Sequence, residues 1–148
     1  MNYDFNLNSS QREGVSLENY KGKKLVLYFY PKNNTPGCTM EAIEFGELYD
    51  EFKKLDVEVV GVSRDGVKSH QNFTEKHNLP FELLSDKDRE ISGQYGLLSP
   101  TKMYGKDAIK TERATFIFDE ESNMIKEFRD VKPAGHALEV LDYLKSLE

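Results

Sequence analysis

Apolar residues along this chain alternate between strand-like runs and helix-like spacings. The first run, Lys24–Tyr30, is nearly continuous and ends at Pro31, as expected of a buried strand. From about Cys38 to Leu55 the apolar positions fall on one helical face. Asp56–Ser63 then predicts a second buried strand. A strand, a helix and a strand in this order indicate an α/β domain.

The middle of the chain continues with shorter elements. Val67–His77 has helical spacing and is followed by the stop signal Asn78-Leu79-Pro80. A short helix is predicted around Asp88–Tyr95. The segment Leu97–Thr111 contains a proline and a glycine, and we predict that it is irregular.

The last third of the chain predicts a hairpin and a closing helix. Arg113–Asp119 and Met124–Arg129 are expected to pair around the turn Glu120–Asn123. Pro133–Leu147 has the pattern of an amphipathic helix whose apolar face uses Leu138, Leu141, Leu144 and Leu147. The whole order predicts a three-layer α/β arrangement with a central mixed sheet flanked by helices, in the thioredoxin-like order, as one domain over residues 1–148.

Composition narrows the class of protein. The chain has 148 residues, of which 38% are hydrophobic and 31% charged, as expected of one globular domain. Its net charge of -6 argues against nucleic-acid binding, which needs a basic surface. We expect no signal peptide and no membrane span, and a single cysteine fits a reducing compartment, so the cytoplasm is the expected location.

The single cysteine, Cys38, lies where the first strand gives way to a helix. The unpaired N–H groups and the dipole of a first helical turn favour an anion, so this position favours a nucleophilic thiolate. Pro36 suits the first turn of a helix, and Gly37 leaves space beside the sulfur. Thr35 could donate a hydrogen bond to an incoming oxygen. Alternatively, a lone cysteine is often only a small buried apolar residue.

Two carboxylates argue against a thiolate unless a cation is near. Glu41 and Glu44 follow Cys38 within two helical turns, in an acidic run that is most simply a solvated helix face. The candidate cation is Arg113, because the strand that it enters is expected to lie beside the cysteine loop. Ser63 and Asp65 are predicted to cap the following helix, and His70 to pack on a helix face.

Several blocks of sequence carry a resemblance to a known family. They are Asp4-Phe5-Asn6-Leu7, the central Tyr28–Thr39 with its Pro-x-x-x-Thr-x-x-Cys pattern, Gly61–Asp65, Leu79–Asp86 and Glu112–Asp119. In these blocks the chain resembles a peroxiredoxin of the bacterioferritin comigratory protein (BCP)/PrxQ-like branch. The resemblance covers nearly the whole chain and implies a peroxidase that reduces hydrogen peroxide and organic hydroperoxides.

The resemblance also implies roles for particular residues. Cys38 would be the peroxidatic nucleophile, Thr35 would bind the peroxide, and Pro31 would shield the sulfur from water. Arg113 would hold the thiolate and the developing charge, with Glu41 as a supporting group. No metal or other cofactor is implied. Members of this branch are often monomers, so a monomer is expected, with a dimer as the alternative.

The chain departs from the family at one informative position. Many members of this branch have a resolving cysteine five residues after the peroxidatic one, where this chain has Ile43. A disulfide within one chain is therefore excluded, and the expected cycle is a one-cysteine mechanism completed by thioredoxin, glutaredoxin or a small thiol. A thioredoxin-like redox-sensing or signalling module without significant turnover, and an inert scaffold, are the alternatives.

Overall fold

Strand β2 (Lys24–Phe29) shows how the sheet divides the core. Its residues are apolar on both faces: Val26 and Tyr28 pack into one hydrophobic cluster, whereas Leu25 and Leu27 pack into the other. A strand with this pattern must be covered on both sides. The computed structural model describes residues 3–148, so Met1 and Asn2 of the predicted domain lie outside the described residues.

The described elements follow the predicted alternation of strands and helices. The strands are β1 (Asn8–Ser9), β2 (Lys24–Phe29), β3 (Val57–Ser63), β4 (Glu82–Ser85), β5 (Leu98–Met103), β6 (Lys106–Thr111), β7 (Ala114–Phe118) and β8 (Met124–Phe128). The helices are α1 (Pro36–Glu47), α2 (Tyr49–Lys54), α3 (Val67–His77), α4 (Glu90–Gln94) and α5 (His136–Ser146), and a 3₁₀ turn spans Leu17–Tyr20.

The main sheet is mixed, and its order is β1-β4-β3-β2-β7-β8. Strands β2, β3 and β4 run parallel, whereas β7 pairs antiparallel with both β2 and β8. The predicted fold class, a thioredoxin-like α/β domain with a central mixed sheet, is therefore confirmed. Because parallel strands end at one edge, the loops after β2, β3 and β4 all gather there.

Two predictions about local structure were wrong, and one strand was missed. The irregular segment Leu97–Thr111 is instead the separate hairpin β5–β6, whose turn residues Tyr104 and Gly105 have φ of 54° and 79°. The predicted helix Cys38–Leu55 is two helices divided at Leu48. Strand β4, four buried residues long, was not predicted at all.

The predicted apolar face of the last helix was also wrong in part. Leu138 and Leu147 are 52% and 44% exposed, and the buried face is made by Ala137, Val140, Leu141 and Leu144. Positions three apart fall short of a full turn of 3.6 residues, so a row at that spacing drifts around the helix. Among residues 3–148, no helix is long and apolar enough to cross a membrane.

Candidate active site

The site forms where β2 passes through a short loop into α1. Helix α1 begins with Pro36 at its first position, which presets the helical φ and lacks an N–H that would have no partner. Thr35 is the N-cap residue, and its carbonyl accepts the N–H of Thr39 at 2.9 Å. The N–H groups of Gly37 and Cys38 fall within the first turn and have no helical acceptor. Cys38 therefore sits at the positive end of α1.

Arg113 contacts Cys38 because of the pairing between β2 and β7. Phe29 pairs with Ala114, so the residue before β7 lies beside the residue that ends β2. The Arg113 Nη2 donor is 3.3 Å from Cys38 Sγ, and the cysteine is only 1% exposed. The carbonyl of Arg113 accepts the N–H of Val131 at 3.0 Å, which fixes its backbone. The structure thus brings together the predicted cation and the predicted nucleophile.

Glu41 is buried rather than part of a solvated face. Its side chain is 0% exposed, and Oε1 accepts a hydrogen bond from Arg113 Nη1 at 2.7 Å. The other oxygen, Oε2, has no hydrogen-bond partner. Burial raises the pKa of Glu41 to about 7, although Arg113 acts in the opposite direction. The prediction that the acidic run is a solvated face was therefore wrong for Glu41.

One guanidinium thus serves two groups. Arg113 places one nitrogen on the Glu41 carboxyl and the other on the Cys38 sulfur. The fork geometry of arginine permits this, whereas a lysine has a single nitrogen. Because the Glu41 carboxyl is partly protonated near neutral pH, it does not fully cancel the charge that Arg113 presents to the sulfur.

The other two predicted residues of the loop lie at its ends. Thr35 Oγ1 donates to the carbonyl of Lys32 at 3.0 Å, which leaves the oxygen lone pairs of Thr35 free to accept a hydrogen bond. Pro31 is half-buried and lines a neighbouring cavity together with Lys32. No contact between Pro31 and the sulfur is among the described interactions.

Gly37 occupies a position that has no room for a larger residue. A Cβ there would lie 3.1 Å from Pro133 Cγ and 3.4 Å from Arg113 Nη2. The segment that leads into α5 therefore packs directly on the first turn of α1. A second contact supports this packing, since Glu44 Oε1 accepts the N–H of Gly135 at 2.9 Å.

Asn33 anchors the loop from below, and the sequence did not single it out. Its Oδ1 accepts the Tyr30 hydroxyl at 2.6 Å, and its Nδ2 lies 3.0 Å from Nδ1 of His70. Because the amide donates, His70 Nδ1 accepts and His70 Nε2–H donates to the carbonyl of Leu84 at 2.8 Å. Burial lowers the pKa of His70, which fits this neutral form. His70 lies on the buried face of α3, as predicted, and also supports the loop.

Ser63 and Asp65 do not cap α3, contrary to the prediction. The N-cap position belongs to Gly66. The Asp65 carboxylate instead accepts the Ser63 hydroxyl at 2.6 Å and the backbone N–H of Asn33 at 2.9 Å. These residues therefore fix the cysteine loop to the end of β3.

His136 links the start of α5 to the strand that follows Arg113. Its Nε2 lies 2.7 Å from Thr115 Oγ1, and its Nδ1 lies 2.9 Å from Glu139 Oε1. Thr115 and His136 are buried and Glu139 is exposed, so the three side chains form a polar chain that runs from β7, two residues from Arg113, to the surface. A histidine at the start of an amphipathic helix gave no signal of this role.

The fold and the site together define a class of protein. This is a thioredoxin-fold domain in which one buried cysteine, at the start of a helix, contacts an arginine across neighbouring strands. Such a site can hold a sulfur anion and stabilise charge on an oxygen beside it. Among residues 3–148, no group of histidine, cysteine, aspartate or glutamate side chains has the arrangement of a metal site.

Comparison with known proteins defines the family. The AhpC/TSA family model matches residues 2–127. Peroxiredoxin Bcp of Bacillus subtilis is 44% identical over 97% of this chain and 92% of its own length. Peroxiredoxin Bcp of Xanthomonas campestris is 42% identical over 97% of this chain and 90% of its own length. The chain belongs to the AhpC/TSA family, in its Bcp/PrxQ branch of peroxiredoxins, as the resemblance implied.

Solved structures agree with this assignment. A structure of Xanthomonas campestris peroxiredoxin Q superposes with a TM-score of 0.90 and 42% identity, covering 96% of this chain and 90% of that chain. A second structure, of the bacterioferritin comigratory protein from Xanthomonas campestris, gives a TM-score of 0.90 at 41% identity, with the same coverage. Its description concerns alkyl peroxide reduction activity.

Proposed function

We propose that this protein is a thiol peroxidase that reduces hydrogen peroxide and organic hydroperoxides through Cys38. The observation that carries the proposal is the 3.3 Å contact between Arg113 Nη2 and Cys38 Sγ at the first turn of α1. Membership of the peroxiredoxins supports a hydroperoxide substrate and a thiol reductant. The relatives do not favour the alternative of a signalling module without turnover.

The first step is a displacement at oxygen. The Cys38 thiolate attacks the terminal oxygen of ROOH, so an S–O bond forms while the O–O bond breaks. The leaving alkoxide takes a proton from water and departs as ROH, and Cys38 becomes a sulfenic acid. Arg113 and the first-turn N–H groups of α1 stabilise negative charge as it moves from sulfur to oxygen. Thr35 accepts a hydrogen bond from the O–H of the peroxide and so orients the substrate, and Pro31 keeps water from the sulfur.

The second half of the cycle uses an external thiol. Ile43 replaces the second cysteine that many relatives have, and Cys38 is the only cysteine of the chain. A thiolate therefore attacks the sulfenic acid, giving a mixed disulfide and water, and a second thiol releases Cys38. Thioredoxin, glutaredoxin and small thiols are the candidate reductants, and the cycle is a one-cysteine mechanism.

The experiment is peroxide consumption by Cys38→Ser in excess dithiothreitol. We expect consumption to fall to the rate of dithiothreitol alone, because serine forms no comparable nucleophile at neutral pH. Wild-type protein alkylated at Cys38 serves as the matched control and should be equally inactive. Intact-mass analysis with a sulfenic-acid trap, after an equimolar amount of hydrogen peroxide, should find the adduct in wild type only. Full activity of Cys38→Ser would refute the proposal.

A further inference from the structure

A cavity of about 530 Å³ lies beside the cysteine site at the carboxyl edge of the parallel strands. Its walls come from the loops after β2, β3 and β4 and from the β5–β6 hairpin. In sheets of this kind the crevice outside the carboxyl ends of the strands is the usual place for a ligand. The proposed peroxidase step uses Cys38 and Arg113 and leaves this cavity unassigned.

The two walls nearest the cysteine site run directly into it. Pro31 and Lys32 line the cavity and begin the loop that ends at Cys38. Thr111 lines the opposite wall and is two residues from Arg113, a span of roughly 7 Å at most. Arg113 in turn reaches the sulfur at 3.3 Å. The cavity therefore adjoins the two segments that carry Cys38 and Arg113, and its volume suits a molecule the size of a short peptide.

The charge of the cavity contrasts with that of the protein. Its lining holds four cationic side chains and one carboxylate, in a chain whose net charge is -6; the four cations are Lys32, Arg64, Arg89 and Lys110. Among the described residues, no carboxylate forms an ion pair with Lys32, Arg64 or Lys110. The carboxylate, Asp65, is already bound to Ser63 and to the backbone of Asn33.

The hairpin adds an apolar surface and is held in place. Met103 and Ile109 line the cavity and are 58% and 53% exposed, so they offer apolar contact area to a ligand. Arg89 Nη1 donates to the carbonyl of Ile109 at 2.7 Å and ties the hairpin to the body of the domain. The cavity therefore combines free positive charge with an apolar wall.

We propose that this cavity binds the anionic body of a peptide-sized thiol while its sulfur reacts with the Cys38 sulfenic acid. The proposal rests on the proposed peroxidase function and names the class of reductant. In the step, an S–S bond forms and the S–O bond of the sulfenic acid breaks. The thiol sulfur is oxidised, the Cys38 sulfur is reduced, and the departing hydroxide takes a proton to become water.

A thiol fits the cavity better than a peroxide does. The peroxide leaves a single oxygen atom on the Cys38 sulfur, and the rest of it departs as ROH. The thiol becomes a mixed disulfide with a sulfur that is only 1% exposed, so the remainder of the thiol must lie against neighbouring walls. Those walls carry unpaired cations and apolar side chains, which match carboxylates on a short peptide.

The test follows the reduction step by itself. Sulfenic acid is formed with an equimolar amount of hydrogen peroxide and mixed with glutathione, which carries a net negative charge, or with glutathione monoethyl ester, which carries none. Quenched intact-mass analysis gives the rate of mixed-disulfide formation at equal thiolate concentration. For Arg64→Glu/Lys110→Glu we expect the ratio of the glutathione rate to the ester rate to fall roughly tenfold.

Controls separate this effect from general electrostatics and from misfolding. Lys76→Glu, at the far end of α3, changes an exposed charge of the same sign and should leave the ratio within about twofold of wild type. In wild type, added salt should slow the reaction with glutathione more than the reaction with the ester. This second measurement needs no variant.

Two results would overturn the proposal. The first is an unchanged ratio of the two rates in Arg64→Glu/Lys110→Glu, including the case in which both thiols lose rate equally. The second is charge discrimination that affects a carboxylated hydroperoxide instead of glutathione. Failure of the proposed peroxidase function would look different, because no sulfenic acid would form in wild type.

Discussion

Two buried glutamates each face an arginine, yet their carboxyl groups have opposite pKa shifts. Glu82 accepts hydrogen bonds from Ser9 at 2.5 Å, from Tyr20 at 2.8 Å and from Arg12 at 2.9 and 3.1 Å. Burial alone would raise its pKa, but these donors outweigh burial and lower it. Glu41 has Arg113 alone and an unpaired Oε2, and burial raises its pKa to about 7.

The difference lies in how much of each arginine is committed. Arg12 gives two of its three guanidinium nitrogens, Nε and Nη2, to the two oxygens of Glu82, and this pair joins β4 to the N-terminal segment. Arg113 gives only Nη1 to Glu41 and keeps Nη2 for the Cys38 sulfur. The Arg12–Glu82 pair, the saturated pair, is arranged for stability. The Arg113–Glu41 pair, the unsaturated pair, keeps a cation available to a reacting atom.

Replacing each arginine with alanine should show the largest difference between the pair that stabilises the fold and the pair that presents a cation to Cys38. Arg113→Ala should lower kcat/KM for hydrogen peroxide by about 10²–10³-fold, as expected for losing a fixed donor to developing charge. It should also reduce the thiolate absorbance of the protein at neutral pH. Arg12→Ala is the matched control and should reduce stability while peroxide turnover stays near wild type. Comparable losses of turnover in both variants would contradict the proposed difference between the Arg12–Glu82 and Arg113–Glu41 pairs.

The next largest effect is expected on stability, when Glu82 of the saturated pair is replaced. Glu82→Gln places an amide donor against the donors of Ser9 and Arg12, and we expect it to lower the free energy of unfolding by about 3 kcal/mol at neutral pH. Chemical denaturation measures this value. The pKa of Glu82 lies below its usual value of 4.5, so its stabilisation is present above that pH and is lost as acid protonates the folded carboxylate. If Glu82→Gln leaves the free energy of unfolding unchanged, the pair contributes little to stability.

Glu41 should affect stability in the opposite pH range. Its folded pKa, about 7, lies above the ordinary 4.5, so the folded state holds a proton that the unfolded state has released. Its contribution is therefore present below pH 4.5 and is lost as pH rises to about 7.

Glu41→Gln cannot ionise and tests this sign. The stability difference between the variant and wild type should change by about 2 kcal/mol between pH 5 and pH 8, in favour of the variant at the higher pH. Chemical denaturation at the two pH values measures it, and using the difference cancels titration of other groups. A difference independent of pH would place the Glu41 pKa near its ordinary value.

The sequence predicted the main strands better than it predicted which glutamates would be buried against an arginine. The runs that became β2, β3 and β7 are strongly apolar and bounded by turn residues, and the cysteine position followed from them. Glu41 and Glu44 look alike in the sequence, and only packing against Arg113 distinguishes the buried residue from the partly exposed one. The same holds for Asn33 and Asn34, of which the first is buried and the second is an exposed residue with φ of 67°.

The β5–β6 hairpin was not predicted because it has no buried face. Hairpin β5–β6 is largely exposed and contains Pro100, so it lacks the alternation of apolar and polar residues that identifies a half-buried strand. Its register depends instead on backbone pairing and on a turn at Tyr104-Gly105. The lining of the cavity beside Cys38 depends on where this hairpin folds back, and no local pattern encodes that position.

The smallest expected effect is a change in the pKa of Glu41 when the charge of Glu44 is removed. After burial, which raises it, and Arg113, which lowers it, the charge of Glu44 raises it further. Glu44 is one helical turn away and partly exposed, so solvent weakens its influence. Glu44→Gln should therefore lower the pKa of Glu41 by roughly 0.3 pH unit, measured by NMR titration of the side-chain carboxyl carbon.

The control is Glu47→Gln. Glu47 is exposed and farther along α1, so its replacement should change the pKa of Glu41 less. An equal shift in both variants would attribute the effect to net charge, and no shift in either would leave burial as the whole cause.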